Sequence, residues 1–258
     1  MNFTATALAS SLLFSTCLSS YAQQVETARN VTVSAFGNVK NAGEFSIPAG
    51  GRVSDLLIAA RPSEDAYIPG LMFNRDQARL QQLRLRAGLL HDLSEMQRDA
   101  NPDVKKAAST MARWLESHHA TGRVPQGSDF RLLQVQPRSN PTLTTGDSLT
   151  LPTRPRTVRI IGAVAAQCQL EHIPLRNAQD YLRDCPTSTA ADGNYVYVIQ
   201  PDGKVQRIGA AVWNRADSQP VAPGGSLYIP FAIPKASVID DNFNREFAAF
   251  IATQPMTP

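Results

Sequence analysis

The sequence predicts an α+β protein assembled from two copies of one small β-rich module, with a helical hairpin inserted in the first copy and a short amphipathic helix near the C-terminal end. Three observations lead there. A set of landmarks recurs in the same order in two parts of the chain, a stretch of helical periodicity occurs in only one of them, and phenylalanines recur at helical spacing close to the end.

Residues Ala5 to Leu18 form an apolar and small-residue run, followed by Ser20-Tyr21-Ala22 and the polar Gln23-Gln24, the layout of a secretory signal cleaved after Ala22. No Lys or Arg precedes Arg29, so the basic start of such a signal is reduced to the α-amino group. The run falls short of the roughly 20 residues that a spanning helix needs, and no later stretch approaches that length, so no membrane span is expected in the mature, soluble protein. Cys17 follows Phe14-Ser15-Thr16, a poor match to a lipid-attachment site, and is read as discarded with the signal.

Val31-Thr-Val-Ser-Ala-Phe-Gly37-Asn-Val39, then Ile47-Pro48 and Ser54-Asp55-Leu56-Leu57, is matched by Val158-Arg-Ile-Ile-Gly162-Ala-Val164, then Ile173-Pro174 and Gln179-Asp180-Tyr181-Leu182. Gln134-Val-Gln136-Pro137 corresponds to Val198-Ile-Gln200-Pro201, and Gly146-Asp-Ser-Leu149-Thr-Leu151-Pro152 to Gly224-Gly-Ser-Leu227-Tyr-Ile229-Pro230. A β-branched run into a glycine is a strand ending where the backbone needs freedom. Ile-Pro closes a second strand, because proline cannot donate to a central ladder. A helix follows, with Val53, Leu56, Leu57 and Ala60 on one face in the first copy and Ala178, Tyr181 and Leu182 in the second. Tyr195-Val-Tyr-Val-Ile199 is a strand with a turn at Pro201-Asp202-Gly203, and the Gly-x-Ser-Leu segment enters the last strand. The order strand, strand, helix, strand, strand is that of a β-grasp module.

Between helix and third strand, the first copy carries extra helical material. Asn74 followed by Gln77 resembles a capping box, with Leu80, Leu83, Ala87 and Leu90 on one face. Asn101-Pro102-Asp103 opens a second helix along which Val104, Ala107, Ala108, Met111 and Leu115 recur. The expected division is 25–72 and 125–156 for the first module, 73–124 for the insertion, 157–232 for the second module and 233–258 for the C-terminal helix and tail. That helix follows Pro234 and Asp240-Asp241-Asn242, and carries Phe243, Phe247, Phe250 and Ile251 on one face. It is too short to span a bilayer and lacks a cluster of Lys or Arg for an anionic surface. Docking of this face on one of the β-grasp modules is expected to keep the protein monomeric, the alternative being a helix offered to a partner.

These elements resemble the SLBB type of β-grasp domain found in outer-membrane polysaccharide export proteins. Two such domains, an inserted helical hairpin and a C-terminal amphipathic helix are similar to the periplasmic GfcC-like family of capsule-biosynthesis proteins, over essentially the whole mature chain. The resemblance implies a periplasmic role in secretion or assembly of a surface polysaccharide, beside outer-membrane and lipoprotein partners. Unlike an export channel, this chain has no lipidated N-terminal cysteine and no long C-terminal helix.

The residues set limits on chemistry. A net charge of +3, with Lys and Arg dispersed, gives no support to nucleic-acid binding. Eighteen prolines against fifteen glycines favour short strands and stiff connections over a bundle. Cys168 and Cys185, the thiols left in the mature chain, read as one disulfide or as two buried free thiols. His118 and His119 point about 100° apart on a helix, and no metal site or cofactor is expected. No Gly-x-Ser-x-Gly elbow, phosphate-cradling loop or His-Glu-x-x-His helix occurs, and the acid pairs Glu64/Asp65 and Asp240/Asp241 read as solvated turns or a helix start, so no enzyme is expected. Glycan contact without catalysis points to Arg75, Arg79, Arg113 and Trp114 in the insertion, because guanidinium forks and aromatic faces suit sugars. A structural adaptor between envelope proteins with no glycan contact, or a polysaccharide-modifying enzyme, is the alternative reading.

Overall fold

The computed structural model describes residues 30–125, 133, 136–217, 219–234 and 238–256; the expected export signal and its cleavage point lie outside them. Two five-stranded mixed sheets are built to one plan. In the first, β1 (Val31–Gly37) and β2 (Gly43–Ile47) form an antiparallel hairpin, β5 (Ser148–Leu151) lies parallel to β1, and β3 (Met72–Asn74) and β4 (Arg123–Val124) complete the order β2-β1-β5-β3-β4. The second repeats this with β6 (Thr157–Gly162), β7 (Cys168–Glu171), β8 (Tyr195–Ile199), β9 (Val205–Gly209) and β10 (Ser226–Ile229), in the order β7-β6-β10-β8-β9. Helix α1 (Val53–Ala60) packs on the first sheet, and α4 (Ala178–Arg183) belongs to the core of the second. These are two β-grasp modules.

The glycine that ends the first strand of each module has the same cause in both. Gly37 and Gly162 have positive φ, and a Cβ on either would lie 2.2 Å from a carbonyl oxygen, of Leu151 and Ile229 respectively. The parallel strand presses against the backbone there, and only glycine admits it.

The third strand of the first sheet is not where the Gln134-Val135-Gln136-Pro137 landmark put it. Gln134 and Val135 lie outside the described residues, and Pro137–Ser139 forms a 3-10 turn. The strand is Met72–Asn74, whose three residues are too few to show alternation. The helices α2 (Asp76–Met96) and α3 (Pro102–Ser117) therefore stand between the third and fourth strands, where the second module has only the turn from Gln200 to Lys204. The ends of β3 and β4 fall inside the expected 73–124 insertion.

Helix α3 opens as its sequence suggests: Asn101 accepts a hydrogen bond from the Asp103 amide at 2.9 Å, with Pro102 in the first turn. Helix α2 departs from expectation. Asn74 stays in β3, and Arg75 is the N-cap without a side-chain cap bond. Leu80, Leu83 and Ala87 face solvent, while Gln82, Leu89, Leu93 and Met96 are buried. Leucines occur around this helix, so periodicity alone left two stripes to choose from. Gln82 selects between them, its amide donating to Arg123 O and accepting from Gly122 N, both at 2.8 Å.

The hairpin belongs to the first module in sequence but to the second in packing. Its buried face joins one core with β6, β8, β10, α4 and helix α5 (Phe243–Ala252). All four residues of β10 are buried, and because successive strand residues point to opposite faces, both faces of the second sheet are covered. Phe243, Phe247 and Phe250 are wholly buried, each contributing about 1.5 to 3 kcal/mol. The first sheet keeps the alternation of a sheet covered on one side, with Val33 and Ala35 buried and Thr32 and Phe36 exposed. A disulfide joins Cys168 on β7 to Cys185 just beyond α4. Among the described residues no helix is long and apolar enough to cross a membrane.

Candidate functional site

The four insertion residues expected to meet a sugar are not brought together. Arg75 clamps Asp147, Nε to Oδ1 at 2.9 Å and Nη2 to Oδ2 at 2.6 Å, while also donating to Thr142 O and lying 5.0 Å from the centre of the Phe73 ring. The hydrogen bond to Asp147 raises its pKa further and keeps it cationic. Arg79 is exposed and 3.6 Å from Asp76. Arg113 is exposed and donates to Thr110 Oγ1 at 3.3 Å. Trp114 is core: its ring stacks on His118 at 4.0 Å and meets Phe247 and Phe250. It lies on the stripe that faces the second sheet, where its indole cannot reach an external ligand.

Two arginines that the sequence does not single out sit at the junction of the modules. Arg123 of β4 donates to the carbonyls of Leu71, Pro201, Ala252 and Gln254. Arg159 of β6 lies 5.6 Å from the centre of the Trp114 ring. Burial lowers both to about 10. The cavity between them is about 10 Å³, room for one water at most, so they are joinery and not a ligand site.

The open polar cleft lies at the second module's β8–β9 edge. Tyr195 and Tyr197, two apart on β8, point to one face, and Arg207 pairs across from Tyr197. The guanidinium of Arg207 rests 4.4 Å from the centre of the Tyr195 ring. Burial raises the Tyr197 phenol, and Arg207 opposes that rise. Asp192, Asp241 and Asn244 complete the polar lining of a space of about 200 Å³. Asn244 is fixed by three bonds at 2.9 Å, accepting from Tyr228 OH and Phe231 N and donating to Phe231 O. Asp192 Oδ1 accepts from the amide and side chain of Asn194, both at 2.8 Å; its other oxygen and the Asp241 carboxylate have no partner among the described residues.

An exposed indole stands beside this cleft. Trp213 Nε1 donates to Asn194 Oδ1 at 3.3 Å, and the turn that carries it is pinned by Asn214 to Asn194 O and Ala211 N. The side chain is 72% exposed. Rigid aromatic faces, a stacked guanidinium and carboxylates with open acceptor positions together suit a ligand rich in hydroxyl groups. The sequence signal for this site was the Tyr-x-Tyr alternation, which also serves as a strand signature and so does not distinguish a binding face from a core face. A larger cavity, about 320 Å³, lies nearby between the α2–α3 turn and the segment before α5, walled by Met96, Val104, Phe231 and Ile239.

Comparison with known proteins covers both modules. The family model described as "Capsule biosynthesis GfcC, N-terminal" matches residues 29–156, and "Capsule biosynthesis GfcC C-terminal" matches residues 166–254. The chain is also 28% identical over 182 residues to "Uncharacterized protein YjbG" of Escherichia coli (strain K12), covering 70% of this chain and 74% of that protein.

Proposed function

This chain belongs to the GfcC capsule-biosynthesis family, and from that premise we propose that it is an exported, periplasmic accessory protein that helps secrete or assemble a surface polysaccharide by holding the glycan, without catalysing a reaction on it. The cleft of Tyr195, Tyr197, Arg207, Asp192, Asp241 and Asn244, with Trp213 beside it, carries this reading. Sugar rings stack on aromatic faces, and their hydroxyls donate to the open carboxylate oxygens of Asp192 and Asp241. The Cys168–Cys185 disulfide supports export, because such bonds persist in oxidising compartments. Outer-membrane and lipoprotein components of a capsule system are the proposed partners.

Titration of the purified protein with fragments of the polysaccharide made by its own cells tests the reading. The double variant Tyr195→Ala/Arg207→Ala should bind on the order of tenfold more weakly, the loss of about 1.4 kcal/mol expected for a stacked contact. Arg113→Ala should bind like the unaltered protein. No binding at all, or equal binding by the cleft variant, defeats it.

A further inference from the structure

The turn leading into the crossing helix is built alike in both modules. In the first, Gly51 N donates to Pro48 O and Val53 N to Pro141 O; in the second, Arg176 N donates to Ile173 O and Ala178 N to Gln219 O. Gly50 and Leu175 therefore occupy the same place, and both are left-handed, with φ of 87° and 61°. Glycine adopts that region freely, whereas leucine there brings its Cβ against the backbone. Packing does not offset the strain, because the Leu175 side chain is 83% exposed. Ile173, two residues before, is 48% exposed.

The turn is held firmly. Ile173 N donates to Tyr181 OH at 2.8 Å, and Arg176 donates to Asp180 O at 2.8 Å with its guanidinium 4.5 Å from the centre of the Tyr181 ring. Beside the turn, Arg154, Arg156, Glu171 and His172 line an open cleft. Arg154 and Arg156 form no ion pair among the described residues, which leaves the rim predominantly cationic.

We propose that Leu175 and Ile173 form the apolar tip of a protein-docking surface on the second module, and that the partner presents an apolar socket rimmed by carboxylates. Leucine at a left-handed position where the sibling module has glycine sets an exposed apolar side chain at the tip of the turn at the cost of strain. A rigid tip pays little ordering entropy on entering a shaped socket. Arg154 and Arg156 set the charge of the rim the tip must meet. A bilayer is disfavoured because two side chains on a turn offer little apolar area to bury. The surface shares no residue with the glycan cleft and stands or falls apart from it.

The test uses the full-length protein in its own cells. A photo-reactive side chain placed at Ile173 should trap one protein, with the linked peptide mapping to an apolar segment flanked by Asp or Glu. The yield should fall at least tenfold with Arg154→Glu/Arg156→Glu. Leu175→Gly should raise Tm by relieving strain while weakening the complex at least tenfold. The proposal is overturned by an adduct to a second copy of this chain, by binding to phosphatidylethanolamine–phosphatidylglycerol vesicles in place of a protein, by an adduct indifferent to the charge reversal, or by a Leu175→Gly protein that melts lower or binds as before.

Discussion

The guanidinium of Arg123, on the edge strand of the first sheet, donates to the carbonyl of Ala252 in the last turn of α5, 3.2 Å away, and so joins the two modules and the C-terminal helix through one side chain. Arg123→Met keeps much of the volume and removes the donors, leaving the buried carbonyls of Leu71, Pro201, Ala252 and Gln254 unpaired. A buried acceptor left unpaired costs about 1 to 3 kcal/mol, so a loss of at least about 3 kcal/mol is expected, or about 6 to 12 °C in Tm for a chain of this size. Arg123→Lys should rescue little, since one ammonium cannot span four carbonyls. Scanning calorimetry checks both.

Phe247 stacks on Tyr228 at 5.3 Å and meets Phe243 and Trp114. Phe247→Ala should lower stability by about 3 to 5 kcal/mol, measured by denaturant midpoint. Truncation after Pro234 uncovers Tyr228, Phe231 and Trp114 together, and should give both a lower Tm and self-association in light scattering. A stable monomer would show that α5 contributes nothing to the core.

The disulfide closes a loop with a separation of 17 residues. Cys168→Ser/Cys185→Ser should lose about 3 kcal/mol, mainly through a freer unfolded chain. Reductant should shift the unaltered protein by the same amount and leave the double variant where it is.

His118 stacks on Trp114, and its Nδ1 lies 2.6 Å from Trp114 O. A carbonyl only accepts, so Nδ1 carries the proton. Burial lowers the pKa below 6.5, outweighing that bond, and Arg159 and His119 lower it further. The unfolded chain therefore takes up the proton first as pH falls. The histidine's contribution is intact above 6.5 and is lost as pH falls through the depressed folded value. His118→Gln should flatten the dependence of Tm on pH between those limits.

The module repeat was legible because the strand-ending glycine and Gly-x-Ser-Leu mark places where backbone geometry admits few residues, whereas the two Ile-Pro pairs stand one residue out of step, Pro48 occupying the place of Ile173. Gly37 and Gly162 are the clearest case, each pressed by a facing carbonyl. Helix α3 was legible from its cap and stripe. The buried face of α2 was not, because Leu80 and Leu83 are as apolar as Leu89 and Leu93, and the choice between them rests on Gln82 reaching Arg123 and Gly122 across the fold. The candidate site was the least legible. Arginines on the insertion looked available until Arg75 met Asp147, and the cleft depends on Asp241, from the turn before α5, and Asn244, from its first turn, both arriving after the second module. Contacts between residues distant in sequence leave no local signal.

Helices α2 and α3 precede in the chain the sheet on which they pack. A chain made from its N-terminus exposes Met111, Trp114 and Leu115 before β6, β8 and β10 exist to receive them, so the hairpin cannot complete its packing until the second module is made. Such deferred, non-local pairing slows folding and prolongs exposure of apolar surface, a reason for chaperone protection of the nascent chain. Once formed, the core that the hairpin shares with the second module, and the bonds of Arg123 to Leu71 in the first module and Pro201 in the second, tie the stability of one module to that of the other.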